Sequence, residues 1–218
     1  QFHLYYSQEA RMYAMLTCLV ILALLGALRA AANGRPRDWF LYGSACLLTA
    51  YTHNYGLFVI LGCAIWLMLQ SLRKPGCRRA VVIVHLSIAA GYLPWVPFLL
   101  RHQVLGTAIT GGWLPKFAPA HLPETLLHYC SLSMVGATGI LLWLGLPAFI
   151  LICGRALIAD TGKQQGSAWP RLNRDPAVTL CLAVLASGTL LPMLVSIIHP
   201  IYLPHRYSVA AWPAFVLL

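Results

Sequence analysis

Apolar residues in this chain gather into seven runs, at about 12–32, 39–52, 56–71, 80–100, 137–157, 177–198 and from 206 onward, separated by polar stretches. A helix needs roughly 20 apolar residues, at about 1.5 Å of rise each, to cross about 30 Å of hydrocarbon. The second and third runs are short for this. Fused, they would form one helix of roughly 32 residues and roughly 48 Å. His53-Asn54-Tyr55-Gly56 supplies turn chemistry inside that apolar region and divides the two runs. The pattern predicts an all-α fold, a polytopic transmembrane helical bundle of about seven spans.

Basic residues choose between the divided and the fused reading. With seven spans, the loops 33–38, 72–79 and 158–176 share one side, and with the adjacent helix ends they carry 11 basic residues: Arg29, Arg35, Arg37, Arg73, Lys74, Arg78, Arg79, Arg155, Lys163, Arg171 and Arg174. The other side carries 4, namely Arg11, Arg101, Lys116 and Arg206. The richer side is expected to be cytoplasmic. A fused helix would put Arg35 and Arg37 opposite Arg73, Lys74, Arg78 and Arg79 and erase the bias. The external face then comprises 1–11, 53–55, 101–136 and 199–205. Seven of the 8 histidines fall there: His3, His53, His102, His121, His128, His199 and His205, leaving His85 elsewhere. In the long external loop, Pro123 and Glu124 mark a helix start. Leu122, Leu126, Leu127, Cys130 and Met134 are expected to form one apolar face of a short helix on the membrane surface.

Composition agrees with a membrane protein. The chain is 60% hydrophobic and 9% charged, with a mean hydropathy of +0.74, whereas soluble domains carry about 25% charged residues. A net charge of +10 invites a nucleic-acid reading, but the charge is spread over short loops between apolar runs, so no nucleic-acid partner is expected. The seven cysteines (18, 46, 63, 77, 130, 153 and 181) form no CxxC pair and read as small buried residues. Dinucleotide, Walker, GxSxG and HExxH motifs are absent from the sequence, as are the intramembrane acids that relay protons in pumps. The chain begins without Met and stops inside an apolar run, so residues 1–218 are expected to be part of a single transmembrane domain that continues on both sides.

The candidate chemistry lies at the mouth of the first helix. In Tyr5-Tyr6-Ser7-Gln8-Glu9-Ala10-Arg11-Met12-Tyr13 a carboxylate and a guanidinium stand against a long apolar run. Charges there are costly to desolvate, which makes them functional suspects. With this segment the chain resembles the bacterial multi-span glycosyltransferases related to protein O-mannosyltransferases and the aminoarabinose lipid A transferases, which share the C-type glycosyltransferase fold. Three further segments are similar to that family: Tyr51-Thr52-His53-Asn54-Tyr55-Gly56-Leu57-Phe58, Leu93-Pro94-Trp95-Val96-Pro97-Phe98-Leu99, and His205-Arg206-Tyr207 with Pro213 in the following helix.

The resemblance implies transfer of a hexose or pentose from a polyprenyl-phosphate donor to a protein, lipid or glycan acceptor, at the outer face of a bacterial plasma membrane. It places one catalytic acid upstream of residue 1. Glu9 stands where relatives carry a second acidic position, and Arg206 matches a basic residue that faces the lipid phosphate. Arg11, at the same boundary, is the second candidate cation for that phosphate. Tyr6, His53, Tyr55, His205 and Tyr207 are candidate lining residues. In some relatives a divalent metal bridges acids and phosphate. The residue types suit the chemistry: the transfer needs a base for the acceptor hydroxyl and cations for the leaving phosphate, and arginine offers an always-charged planar fork.

Plainer roles fit the same residues. Glu9 and Arg11 suit a helix cap whose charges snorkel to the headgroups, and Arg206 suits a headgroup anchor. The histidines suit interfacial hydrogen bonding, and the Tyr and Trp residues an aromatic belt. At the level of the whole protein, a transporter or flippase for a lipid-linked or amphipathic substrate is the rival reading, and a non-catalytic membrane scaffold is a third.

Overall fold

The computed structural model describes residues 12–101, 118–129, 175–198, 201 and 207–218. All regular elements among them are helical: α1 (Tyr13–Asn33), α2 (Pro36–Thr52), α3 (Gly56–Arg73), α4 (Arg78–Tyr92), α5 (Val96–Leu99), α6 (His121–Tyr129), α7 (Pro176–Ile198) and α8 (Trp212–Val216). Short 3₁₀ turns cover Pro75–Cys77, Leu93–Trp95 and Tyr207–Ala210. α4 runs through Leu93–Trp95 into α5 as one rod, so four helical units are long and apolar enough to cross a membrane: Tyr13–Asn33, Gly56–Arg73, Arg78–Leu99 and Pro176–Ile198. α2, with 17 residues, spans about 26 Å. The run 137–157 and the loop 158–174 lie outside the described residues.

The expected division of the second and third runs is present, and its ends are chemically explicable. α1 stops at Gly34, which takes a left-handed conformation (φ 65°) while its N–H donates to the Ala30 carbonyl. α2 then starts at Pro36, three residues before its apolar run, because proline's missing N–H costs nothing in the first turn. α7 likewise begins at Pro176, capped by Asp175, whose Oδ1 accepts the Ala177 N–H at 2.8 Å.

Register follows from the contacts. Gly26 faces Tyr42 and Arg29 faces Asp38, so α1 and α2 run antiparallel. The Tyr42 hydroxyl donates to His85 Nε2 at 2.9 Å, and the Tyr51 hydroxyl donates to the Gly91 carbonyl at 2.7 Å, so α2 and α4 run parallel. Trp66 Nε1–H donates to Thr179 Oγ1 at 2.9 Å, and Gly62 lies against Val184, which sets α3 antiparallel to α7. The core is one cluster that draws on all of these helices, with Leu16, Val20, Tyr42, Val59, Val81, Leu180 and Val184 essentially sealed. Phe40, Leu72, Leu86 and Ile198 are exposed on the outside of the bundle, as lipid contact requires and water would not tolerate over so broad a surface.

The tightest helix contacts use small residues, as is usual where lipid offers no hydrophobic drive to associate. A Cβ on Gly26 would sit 2.9 Å from the Tyr42 backbone, and one on Gly62 would sit 2.9 Å from the Val184 Cα. The His85–Tyr42 pair closes its own polar balance. His85 Nδ1–H donates to the Val81 carbonyl at 2.7 Å, which leaves Nε2 as the acceptor for Tyr42.

The expected short helix forms as α6, two residues earlier than Pro123, and the face it turns to the protein is a different one from the apolar face expected on the membrane. His121, Thr125 and Tyr129 are buried and Leu122 and Leu126 only half-buried; Cys130 and Met134 lie outside the described residues. Thr125 tolerates burial because its hydroxyl donates to the His121 carbonyl at 2.7 Å. Tyr129 packs on Phe215 with ring centroids 5.2 Å apart, and Trp212 Nε1–H donates to the Tyr129 carbonyl. So α6 docks on the protein through α8.

Gly26→Val should overpack the α1–α2 contact and cost about 1–3 kcal/mol, read as a fall of several degrees in the melting temperature of the detergent-solubilised protein. Gly76→Ala, at a position with nothing within 4 Å of the added Cβ, should change stability by no more than about 0.5 kcal/mol.

Candidate functional site

The two ends of the bundle differ in chemistry. One end holds Gly34, Arg35, Arg73, Lys74, Arg78 and Asp175 and is basic. There the buried Asp38, in the first turn of α2, meets Arg29 Nε at 3.6 Å and accepts from Asn33 Nδ2 at 3.4 Å. The other end is polar and aromatic, with Arg101 as its described basic residue at the end of the α4–α5 rod, and is built around the turn 53–55.

At that turn the Tyr55 backbone N–H donates to His53 Nδ1 at 3.1 Å. This bond needs a lone pair on Nδ1, so the neutral imidazole carries its proton on Nε2. Tyr13, at the start of α1, and Tyr55 flank the imidazole with ring centroids 6.1 and 5.6 Å away. Burial lowers the His53 pKa from 6.5 to about 4, because the charged form loses its water. His53 is therefore neutral at physiological pH. Tyr55 is buried, and its hydroxyl donates to the Ile201 carbonyl, while the Ile201 N–H donates to Ser196 Oγ at 3.1 Å. The end of α7 is thereby tied to the turn.

The neighbouring side of this pole is aromatic. The Tyr92 hydroxyl donates to Asn54 Oδ1 at 3.2 Å. Tyr51 stacks edge-on against Tyr92 and Trp95, at 5.6 and 6.1 Å between centroids, and Trp95 contacts Phe98 at 4.5 Å.

Of the residues singled out from sequence, His53 and Tyr55 meet at this pole. Tyr207 opens the 3₁₀ turn Tyr207–Ala210, which packs beside α1 and α7. Tyr6, Glu9, Arg11, His205 and Arg206 lie outside the described residues. Tyr92 and Asp38 were not anticipated. Tyr92 carries no local signal, since its partners are about 40 residues away; Asp38 did carry one, as an acid just after a first-turn proline. Among the described residues, no three His, Cys, Asp or Glu side chains converge to hold a metal ion. The five described cysteines, Cys18, Cys46, Cys63, Cys77 and Cys181, are all thiols.

Tyr13, the turn within 51–58, Trp95 of 93–99 and Ile201 thus adjoin at one pole. Comparison with protein-family models, with curated proteins and with solved structures gave no match.

The unfolded chain takes up a proton on His53 near pH 6.5, the folded protein only near 4. Stability is therefore complete above about pH 6.5 and falls as pH drops toward 4, by on the order of 3 kcal/mol for a shift of this size. Melting temperature measured across that window should decline for the wild type and decline less for His53→Gln.

Proposed function

We propose that this chain is part of a membrane glycosyltransferase that passes a sugar from a polyprenyl-phosphate donor to an acceptor at the outer face of the plasma membrane. In this reading the chain has seven spans, its basic end is cytoplasmic, and the turn 53–55 is external. The observation that supports it is the meeting of Tyr13, the turn 53–55, Trp95 and Ile201 at one end of the bundle, around a polar turn that is otherwise out of place between apolar helices. Non-helical backbone at such a depth is tolerated only against protein or a water-filled cavity.

The described part of that pole offers neutral groups: an imidazole, phenols and an amide. The charges come from Glu9, Arg11 and Arg206. The acceptor oxygen attacks the anomeric carbon as the bond from that carbon to the phosphate oxygen breaks. The hydroxyl proton passes to a carboxylate, from Glu9 or from the acid expected upstream. The electron pair leaves with the polyprenyl phosphate, held by the arginine forks. His53 and Tyr55 shape the turn beside this site and add no charge to it. A transporter or flippase draws its support from Pro192, which is buried inside α7 and removes one backbone donor there.

The test uses the intact protein in proteoliposomes with a labelled polyprenyl-phosphate sugar. Glu9→Gln should lower transfer by on the order of 100-fold with the fold intact, and Arg206→Lys should weaken donor use because it loses the bidentate fork. Normal transfer in Glu9→Gln, with stability lower by about 1 kcal/mol or less, would mark that residue as a cap. Donor crossing the bilayer without any transfer product would favour the flippase.

A further inference from the structure

We propose that the basic surface at the mouth of the cleft between the α1–α2 hairpin and the α3–α4 turn binds the phosphate headgroup of an anionic phospholipid. This inference is independent of the glycosyltransferase reading. The cleft is shallow and is lined by Ala31, Trp39, Leu67, Gln70, Lys74 and Cys77. Lys74 reaches across it and donates from Nζ to the Ala31 carbonyl at 3.3 Å, which holds the ammonium at the mouth. Arg73, Arg78 and Arg79, next in sequence to the lining residues Lys74 and Cys77, are exposed.

Among the described residues these cations have no carboxylate counter-ion: the carboxylate pairs are Arg29 with Asp38 and His128 with Glu124, and none involves Arg73, Lys74, Arg78 or Arg79. Arg78 and Arg79 also occupy the first turn of α4, where the helix macrodipole disfavours positive charge. An anion seated between them and Lys74 offsets both penalties. Phosphate is the fitting anion, since guanidinium forks match its oxygens.

Two features select a lipid over a free anion. The inner walls at Ala31, Leu67 and Val81 are apolar, so the cleft is amphipathic. Leu69, Leu72, Val82 and Ile83 are exposed on the helices that flank it, which puts acyl chains alongside and headgroups at the height of the cations. Half-buried Trp39 suits the same boundary.

The experiment titrates phosphatidylglycerol or phosphatidylcholine into the purified protein and follows melting temperature and lipid retention by native mass spectrometry. Phosphatidylglycerol should raise the melting temperature and remain bound, and phosphatidylcholine should do neither. Lys74→Gln/Arg78→Gln should weaken phosphatidylglycerol binding at least tenfold, while Arg35→Gln/Arg37→Gln, which removes equal charge from the same end away from the cleft, should retain it. If Lys74→Gln/Arg78→Gln does not fold, Arg78→Gln/Arg79→Gln, with both side chains exposed, replaces it with the same expectation. Equal loss in the cleft and control variants would overturn the site in favour of diffuse charge. Equal stabilisation by inorganic phosphate, or no preference over phosphatidylcholine, would overturn the lipid assignment.

Discussion

Reversing a chain between two apolar helices leaves backbone amides that hydrocarbon cannot satisfy, at a cost of several kcal/mol each. At residues 53 and 55–57 this protein closes them internally. The His53 N–H donates to Thr49 O at 3.1 Å, Gly56 to His53 O at 2.8 Å and Leu57 to Asn54 O at 3.1 Å. The Tyr55 N–H is taken by the imidazole of His53 itself. Much at this end of the bundle follows from that last bond. It fixes the tautomer of His53, sets the ring between Tyr13 and Tyr55, and points the Tyr55 hydroxyl at Ile201.

The rest of the bundle positions that turn. The close approach of α1 to α2 at Gly26 brings Tyr13 beside His53, and the approach of α3 to α7 at Gly62 brings the end of α7 beside Tyr55. The Tyr42–His85 bond and the Tyr51 hydroxyl hold α4 parallel to α2, which carries Tyr92 and Trp95 to the same end. At the opposite end Asp38 and Arg29 tie α1 to α2 across the Gly34 turn. The polarity of the bundle, aromatic at one end and strongly basic at the other, is the outcome of these registers.

Much of this architecture was legible in the sequence. Apolar runs located α1, α3, the Arg78–Leu99 rod and α7, because length and hydropathy alone decide what can span a bilayer. The break at His53-Asn54-Tyr55-Gly56 was legible because polar turn residues are conspicuous between apolar runs. The start of α2 was misplaced by three residues because Pro36, Arg37 and Asp38 are polar letters inside a helix. The face that α6 buries was not anticipated, because an apolar count cannot see that Thr125 satisfies its own hydroxyl within the helix. Pairings such as Tyr92 with Asn54 depend on helix register, which one sequence does not encode locally. His53 and Tyr55 were legible as neighbours in one polar turn; that a backbone amide fixes His53 in one neutral tautomer was not.

The account rests on the two ends of the bundle lying on opposite sides of the membrane, with 33–38 and the α3–α4 turn inside. Single cysteines at Gly34 and Gly112, on a cysteine-free background, probed in intact cells with a membrane-impermeant maleimide, test this most directly. The account predicts labelling at position 112 and protection at position 34 until the cells are opened. Labelling at position 34 from outside would contradict it, because the turn 53–55 and the basic cleft would then exchange sides.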